Sequence, residues 1–423
     1  MVVTKDPAVY KAALGLSHRE CFGVSPSLSV VLSYFLPRSI AVVEHQDWSR
    51  IRRTLQRGMA MQSFDSFPAL VASSIQKLDA TLSKQQSPDD NVLVVVPEDV
   101  FPNLTFDVFH RLMYQWDPNT VAGDSMDLLH AALQLGEVLA DRFLLPLPHL
   151  WKLPLARNYE ADAIRDNLHA KVVELVNTRR QYLASLDELP HPTLLDYLLG
   201  ALEDTTLSTD EVYDNVMGMF LGAFDTTSNA LALLFNNLAQ YPDVQTTLRA
   251  ALATSFPGGP AAIARATPKD LDGCDYLTMT LNESMRLTPS VRSVNRECVS
   301  ACEIHGVRFE VGDELFVHSH GVAMDPDNYA GMDDLDCFRP DRFQDPALEK
   351  SISLGFGYGQ HMCLGRHIAR AEVKAICAYV VSSYELSRPA DGPLLKYNST
   401  LTIGTKVGFG TMHWRRLAPP LAA

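Results

Sequence analysis

The chain has 423 residues, of which 47% are hydrophobic and 20% are charged, an ordinary composition for a globular enzyme with a large core. The formal net charge of −14 argues against a role in binding nucleic acid. No apolar run is long enough to cross a membrane, because the best one, residues 28–36, ends at Pro37 and Arg38.

Helical periodicity dominates most of the chain. The predicted helical segments are residues 1–14, which open with a short strand, and residues 45–64, 92–116, 122–143, 158–183, 208–241, 276–287 and 366–380. A proline-broken loop is predicted at 144–155, and short strands are predicted at 294–299, 304–309 and 314–319. The pattern predicts a fold that is mainly α with small β-sheets, formed as a single large domain over residues 1–423.

The segment 208–241 differs from the other predicted helices. Ser208 is a suitable N-cap, and the stretch 216–234 is apolar on nearly all sides. A helix that is apolar all round belongs in the middle of a large core. We therefore predict that this helix runs through the centre of the domain.

One cysteine lies in a glycine-rich loop just before a predicted helix. Cys363 follows Phe356, Gly357 and His361 and precedes Gly365. Backbone N–H groups and a helix start favour a negative sulfur, which predicts a lowered pKa and a thiolate that can bind haem iron. Glycines allow a large flat ligand to come close, and a histidine can hydrogen-bond a haem propionate. The alternative is a buried structural cysteine.

An acid and a hydroxyl stand side by side in the predicted central helix. Asp225 and Thr226 lie in its apolar part, where polar groups are costly unless they are satisfied or used. A structural interpretation bonds the hydroxyl back to the carbonyl four residues earlier. A functional interpretation is proton delivery during cleavage of dioxygen, in which Thr226 holds the oxygen by a hydrogen bond and Asp225 relays protons.

The loop around Cys363 resembles the haem-binding signature of the cytochrome P450 superfamily. That pattern is Phe-Gly-x-Gly-x-Arg/His-x-Cys-x-Gly, and each fixed position is present between Phe356 and Gly365. The segment around Asp225 is similar to the family's Ala-Gly-x-Asp/Glu-Thr, but its first two residues are reversed, Gly222 and then Ala223. The resemblance implies a haem b cofactor with Cys363 as the axial iron ligand. It also implies a monooxygenase that uses O2 and two electrons to hydroxylate or epoxidise a hydrophobic small molecule.

A second group of residues matches the family further from the cysteine. Glu283 and Arg286 share one helix face at spacing i, i+3 and can pair. Residues 338–343 are similar to the family's Pro-x-Arg segment. The resemblance implies a structural network of Glu283, Arg286 and Arg342 that locks the core behind the haem.

The resemblance also indicates how the haem carboxylates are held. Trp48 and Arg52 are similar to the family's Trp-x-x-x-Arg, and Arg296 stands where the family often has a propionate arginine. With His361 they provide cations and one indole donor for two carboxylates. An exposed strand arginine is the alternative for Arg296.

Basic residues suggest a partner. Arginines recur over 50–57, and Arg366, Arg370 and Lys374 follow the cysteine at helical spacing. In the family these segments flank the thiolate side of the haem. A basic face there predicts docking of an acidic electron donor, either an NADPH-dependent reductase or a ferredoxin. The alternative is an ordinary solvated face.

Two other functions are compatible with the sequence. One alternative is a truncated, haem-binding but catalytically silent family member, and the other is a peroxide-driven or isomerising enzyme. The usual N-terminal anchor and first strands of the family are not recognisable, which predicts a cytoplasmic chain, or the endoplasmic-reticulum surface if an anchor precedes it. The resemblance places Phe220, Phe224 and residues 290–293 and 401–403 against the substrate.

Overall fold

Helices form most of the fold, in a computed structural model that describes residues 2–18, 20–60, 67–85, 91–144, 147–186, 192–329, 332, 334–345, 348, 353–393, 395–399, 402–406 and 408–417. The α-helices are α1 Pro7–Leu14, α2 Pro26–Phe35, α3 His45–Gly58, α4 Phe67–Gln85, α5 Pro97–Tyr114, α6 Met126–Leu144, α7 Pro148–Trp151, α8 Ala156–Ala184, α9 Leu194–Glu203, α10 Thr209–Gln240, α11 Pro242–Ser255, α12 Pro260–Ile263, α13 Pro268–Asp272, α14 Asp275–Leu287, α15 Ser319–Ala323 and α16 Arg366–Ser383. This confirms the prediction of a mainly α fold.

The strands are short and belong to small sheets. They are β1 Val2–Thr4, β2 Phe22–Val24, β3 Val92–Val95, β4 Val294–Cys298, β5 Cys302–Ile304, β6 Val307–Phe309, β7 Glu314–Val317, β8 Tyr384–Ser387, β9 Tyr397–Ser399, β10 Ile403–Thr405 and β11 Met412–Arg416. The largest sheet has the order β1-β7-β4-β2, and the others are β3-β11-β8, β9-β10 and β5-β6.

The N-terminal segment is an integral part of the largest sheet. Strand β1 pairs in parallel with β7, with Val2 opposite Leu315, whereas β4 pairs antiparallel with both β7 and β2. Tyr10 and Leu14 of α1 are buried in the small core beneath this sheet. The first residues of the chain therefore help to position everything that packs on α1.

Helix α10 runs through the main core as predicted. Ser208 caps it, and a capping box closes because Glu211 accepts from the Ser208 N–H at 2.8 Å while the Ser208 hydroxyl accepts from the Glu211 N–H. Its middle packs against α5, where Thr105 donates to the Phe224 carbonyl at 3.1 Å. A helix apolar on all sides thus lies among other helices.

Several predicted boundaries were wrong. The segment 92–116 begins with strand β3 before α5 starts at Pro97, because four consecutive apolar residues are compatible with either a strand or a helix. The segment 304–309 is not one strand, because it turns at Gly306 and joins β5 to β6 as a hairpin. Helix α3 ends at Gly58, and residues 61–64 of its predicted range lie outside the described residues.

Among the residues that the structure describes, no helix combines the length and the apolar character needed to cross a bilayer.

Candidate active site

A cavity of about 390 Å³ opens between the middle of α10, the helices α14 and α16 and the loop that carries Cys363. Most of its wall is apolar, with Met59, Phe109 and Leu281 among the lining side chains. Cavities of this size, lined by apolar groups and a few polar ones, are typical ligand sites. The wall also contains Thr226 and Cys363, which the sequence singled out.

Left-handed glycines shape the cysteine loop. Gly357 has a φ of +75° and Gly359 a φ of +70°, which other residues rarely adopt. A side chain at Gly359 would also collide with the Leu14 carbonyl oxygen of α1. The loop is closed by the Cys363 N–H, which donates to the Phe356 carbonyl at 2.8 Å. The loop therefore rests directly on the N-terminal helix.

The thiol of Cys363 faces the cavity at the start of α16. Burial raises its pKa, so the predicted lowering was wrong for the protein alone. The predicted opposing effects are present, because N–H groups of Gly365 and Arg366 and the charge of Arg52 all favour a thiolate. A coordinated metal ion deprotonates a thiol outright, so a raised pKa is compatible with iron ligation.

The predicted propionate ligands converge beside this loop. The rings of Trp48 and His361 lie 4.4 Å apart between centroids, and the Arg52 guanidinium lies 5.8 Å from the Trp48 ring. Arg52 also donates to the Met362 carbonyl at 2.9 Å. Helix α3 thus brings an indole and a cation to the edge of the cysteine loop.

Arg296 approaches the same place from strand β4. Its side chain lines the cavity and donates to the Asn295 carbonyl at 2.9 Å, and burial lowers its pKa. Burial, Arg296 and Arg52 together lower the pKa of His361 to about 4. Within the described ranges, neither arginine has a carboxylate in ion-pair distance. Desolvated cations beside a thiol and a cavity fit a haem, whose carboxylates complete this charge pattern.

Asp225 and Thr226 point in different directions. Thr226 lines the cavity, and its hydroxyl donates to the Gly222 carbonyl at 2.9 Å. The Asp225 carboxylate accepts from Thr402 at 2.7 Å and from Asn229 at 3.2 Å, near the β9–β10 hairpin. Burial raises the pKa of Asp225, against the lowering effect of these two hydrogen bonds.

The reversed glycine and alanine lie on the cavity wall of α10. Both Gly222 and Ala223 line the cavity, and α10 is a regular α-helix through this stretch. A Cβ at Gly222 would have open space around it. Helix α10 therefore has no widening at the position where the family's order would place the glycine.

The structure brings the three members of the structural network together. Arg286 donates to both Glu283 oxygens, at 2.7 and 2.9 Å, and the Arg342 Nε lies 3.3 Å from Glu283 Oε1. All three side chains are fully buried. The Arg339 N–H and Asp334 add further partners, so every charge in the network is compensated.

The distal wall differs in part from the prediction. Ser290 and Val291 line the cavity, as the range 290–293 predicts. Phe220 and Phe224 were placed wrongly, because both pack against Phe106 in an aromatic part of the main core. Leu401 lies outside the described residues. A helix apolar on all sides gives no signal for which face meets the ligand.

The predicted basic face is largely engaged in internal pairs. Arg50 forms an ion pair with Glu211 at 2.6 Å, and Lys374 is buried and bonded to Asp272. Arg53 and Arg57 are exposed on α3. Helical spacing alone could not separate these two groups of cations.

Two residues of the site were missed. Glu372 on α16 is buried and lines the cavity, and Thr402 holds the Asp225 carboxylate. Glu372 gave a weak signal as an acid just before the apolar run of α16. Thr402 gave none, because its contact with Asp225 joins segments 177 residues apart.

A mainly helical fold that presents a loop thiol and desolvated cations to an apolar cavity defines a haem-thiolate protein. The sequence matches the family described as Cytochrome P450 over residues 1–409. The chain belongs to the cytochrome P450 family.

Individual similarities are distant. A cyclooctat-9-en-7-ol 5-monooxygenase of Streptomyces melanosporofaciens is 26% identical over 68% of this chain and 62% of its own length. A probable cytochrome P450 28c1 of Drosophila melanogaster is 30% identical over 45% of this chain and 39% of its own length. The chain thus spans less than two thirds of these curated relatives.

The fold also matches a solved structure. A crystal structure of a cytochrome P450 (CYP102L1) superimposes with a TM-score of 0.81 at 19% identity, covering 98% of this chain and 92% of that one. Members of this family bind haem b and are haem-thiolate monooxygenases that use O2, a substrate and redox partner proteins. These family properties agree with the cofactor predicted from the cysteine loop.

Proposed function

We propose that this chain is a haem-thiolate monooxygenase that hydroxylates or epoxidises a hydrophobic small molecule. The observation that carries the proposal is the position of Cys363 on the wall of an apolar cavity, beside two arginines without a carboxylate partner within the described residues. When bound there through the thiolate, haem iron supplies the activation of dioxygen.

The residues around the cysteine hold the cofactor in this proposal. Arg52, Arg296 and His361 bind its carboxylates, and Trp48 supports the His361 ring from α3. Charge-assisted hydrogen bonds of this kind are stronger than neutral ones. Phe356, Gly357 and Gly365 belong to the same wall and allow a flat ligand to approach the backbone.

Proton handling is assigned to Thr226 and Asp225. The Thr226 hydroxyl lies on the cavity wall and holds its proton at the Gly222 carbonyl. Burial raises the pKa of Asp225, so this carboxyl group takes up a proton more readily than an exposed one does. Relay from Asp225 to the cavity requires its carboxyl group to leave Thr402 and Asn229.

That requirement favours a second candidate function. Asp225 is turned towards the β9–β10 hairpin, so Thr226 faces the cavity without the acid beside it. An enzyme driven by peroxide, or one that isomerises its substrate, needs no protons for reductive cleavage of dioxygen. A peroxide-driven enzyme predicts product with hydrogen peroxide alone, and an isomerising enzyme predicts product without any added oxidant or reductant. Both predict little change when Asp225 is replaced by Asn.

A reduced, CO-bound absorption spectrum tests the haem-thiolate assignment. We expect a thiolate-type Soret band in the purified protein and its complete loss in Cys363→Ala. Cys337→Ser is the matched control, because Cys337 is exposed and away from the cavity, and it should keep the band. A wild-type spectrum without the thiolate band would refute the proposal.

Turnover separates the functional candidates. The monooxygenase predicts product with a reductase, NADPH and O2, and a loss of about 10² to 10⁴-fold in Asp225→Asn, the usual contribution of a positioned proton donor. Product with peroxide only would support the second candidate. Tight CO binding without product from any donor would identify a catalytically silent haem protein.

The substrate class follows from the cavity wall. Most lining side chains are apolar, and the Streptomyces relative is named for oxidation of cyclooctat-9-en-7-ol. We expect a hydrophobic molecule to displace cavity water and shift the Soret band of the haem-loaded protein. A panel of apolar compounds, with their charged analogues as controls, tests this expectation.

The electron donor is proposed to dock on the exposed part of α3. Arg53 and Arg57 are exposed there, whereas Arg50 is neutralised by Glu211 and Asp47. Arg53→Gln should therefore weaken donor binding severalfold and reduce its salt dependence, because long-range attraction scales with unpaired charge. Arg180→Gln, which removes the same charge from an exposed position on α8, is the matched control and should weaken donor binding less.

A further inference from the structure

Glu372 is an acid that the proposed chemistry does not use. It lies on α16, on the side of the helix that faces the cavity, and only 3% of the residue is exposed. Its Oε1 atom is buried and has no hydrogen-bond partner among the described residues. A fully buried polar atom without a partner points to an unseen partner, such as an internal water.

Cations near Glu372 in sequence are bonded elsewhere. On the same helix, Arg370 donates to Asn282 at 2.9 Å, and Lys374 donates to Asp272. On α14, which packs against α16, Arg286 is bound to Glu283. Burial alone raises the pKa of Glu372 to about 8. An acid that is shielded from bulk solvent and has no cation beside it keeps its proton.

The neighbouring wall supplies one further polar group. Ser284 of α14 lines the same cavity, is buried, and has a hydroxyl that accepts from Asn237 at 3.4 Å. Both residues line the cavity, and the helices that carry them pack against each other. A buried water needs two to four polar partners, which the Glu372 carboxyl group and the Ser284 hydroxyl would supply.

We propose that Glu372 is a neutral carboxylic acid that holds an internal water against Ser284 at the edge of the haem site, and that it acts as a positioning residue there. The role of Glu372 beside the cofactor rests on the proposed haem site, whereas its protonation state does not. A neutral acid places no negative charge beside the cofactor, so it does not lower the reduction potential of the iron. Glutamine has the same shape and mimics the neutral form.

Two spectroscopic measurements test the protonation state and its link to the haem. Infrared difference spectra of haem-free wild type and Glu372→Gln at pH 6.5 should show the C=O band of a protonated carboxylic acid in the wild type only. In the haem-loaded wild type, the reduction potential should fall as the pH is raised, with a midpoint near pH 8. The potential of Glu372→Gln should show no such step. Glu174→Gln, an exposed acid on α8, is the control and should behave like wild type.

The outcomes separate this inference from the proposed function. A carboxylate rather than an acid band at pH 6.5, or an unchanged potential step in Glu372→Gln, overturns the inference. A missing thiolate Soret band overturns the proposed function, while the infrared measurement on haem-free protein still decides the state of Glu372. Loss of the water partner in Ser284→Ala should move the titration midpoint to higher pH, and an unmoved midpoint refutes the water-holding role.

Discussion

One cluster of arginines in this protein is fully buried and paired with acids, whereas another is partly buried beside the cavity and has no acidic partner within the described residues. Glu283 holds Arg286 and Arg342 in a network with no exposed member, and each charge has a partner. Arg52 and Arg296 lie beside the cavity, and within the described residues their side chains donate only to backbone carbonyls. The paired cluster is complete without any ligand, whereas the cavity cluster is complementary to a ligand that brings its own carboxylates.

The comparison predicts its largest effect in the paired network. Arg286→Ala removes the bidentate partner of the fully buried Glu283 and leaves it only the longer contact with Arg342 and the Arg339 N–H, so we expect a loss of about 3–5 kcal/mol in the free energy of unfolding. Urea denaturation of the haem-free protein measures this loss. Lys171→Ala is the control, because Lys171 pairs with Glu174 at the surface of α8 and should cost less than about 1 kcal/mol. Equal effects in the two variants would remove the distinction between buried and exposed pairs here.

In the unpaired cluster, loss of an arginine should affect ligand binding rather than folding stability. Arg296→Gln removes a desolvated cation, so the free energy of unfolding of the haem-free protein should stay unchanged or rise. Haem binding should weaken by about 1.5–3 kcal/mol, the usual contribution of a hydrogen bond to a charged group. Haem titration and urea denaturation of the same variant measure the two quantities. A variant that unfolds more easily but binds haem normally would show that Arg296 is structural.

These two clusters differed in how far the sequence could describe them. The spacing of Glu283 and Arg286 fixes their pairing within one helix, and only the third member needed the family resemblance. The cavity cluster is assembled from α3, β4 and the cysteine loop, which lie far apart in the chain. The sequence could name its members from the resemblance, but it could not indicate their desolvation.

Where the prediction failed, tertiary packing decided the outcome. Strand β3 is a short apolar run, and the strands of the hairpin β5–β6 alternate apolar and polar residues over only three positions each. The state of such short segments depends on the strands with which they pair. Phe224 faces α5 rather than the cavity, and the direction of a side chain on a helix apolar all round is not written in its own pattern. Asp225 likewise takes its direction from Thr402, a residue distant in sequence.

The last and smallest expected effect is a pH dependence that the ligand should change. The pKa of His361 is lowered to about 4 by burial and by Arg296 and Arg52, whereas an unfolded histidine has a pKa of about 6.5. Between these values the unfolded state binds more protons than the folded state, so stability falls as the pH drops from about 6.5 to 4. The contribution is at most about 1.4 kcal/mol per pH unit, and solvent that reaches the half-buried ring reduces it.

Bound carboxylates should weaken that dependence, because they neutralise the two arginines that depress the pKa of His361. We therefore expect the haem-free protein to lose thermal stability more steeply between pH 6.5 and 5 than the haem-loaded protein does. In His361→Gln, this difference in slope between the two forms should disappear. His413→Gln controls for general histidine effects, because His413 lies on strand β11 away from the cavity. Identical slopes with and without haem would mean that the ligand's carboxylates do not reach this cluster, and Arg52 and Arg296 would then need another partner.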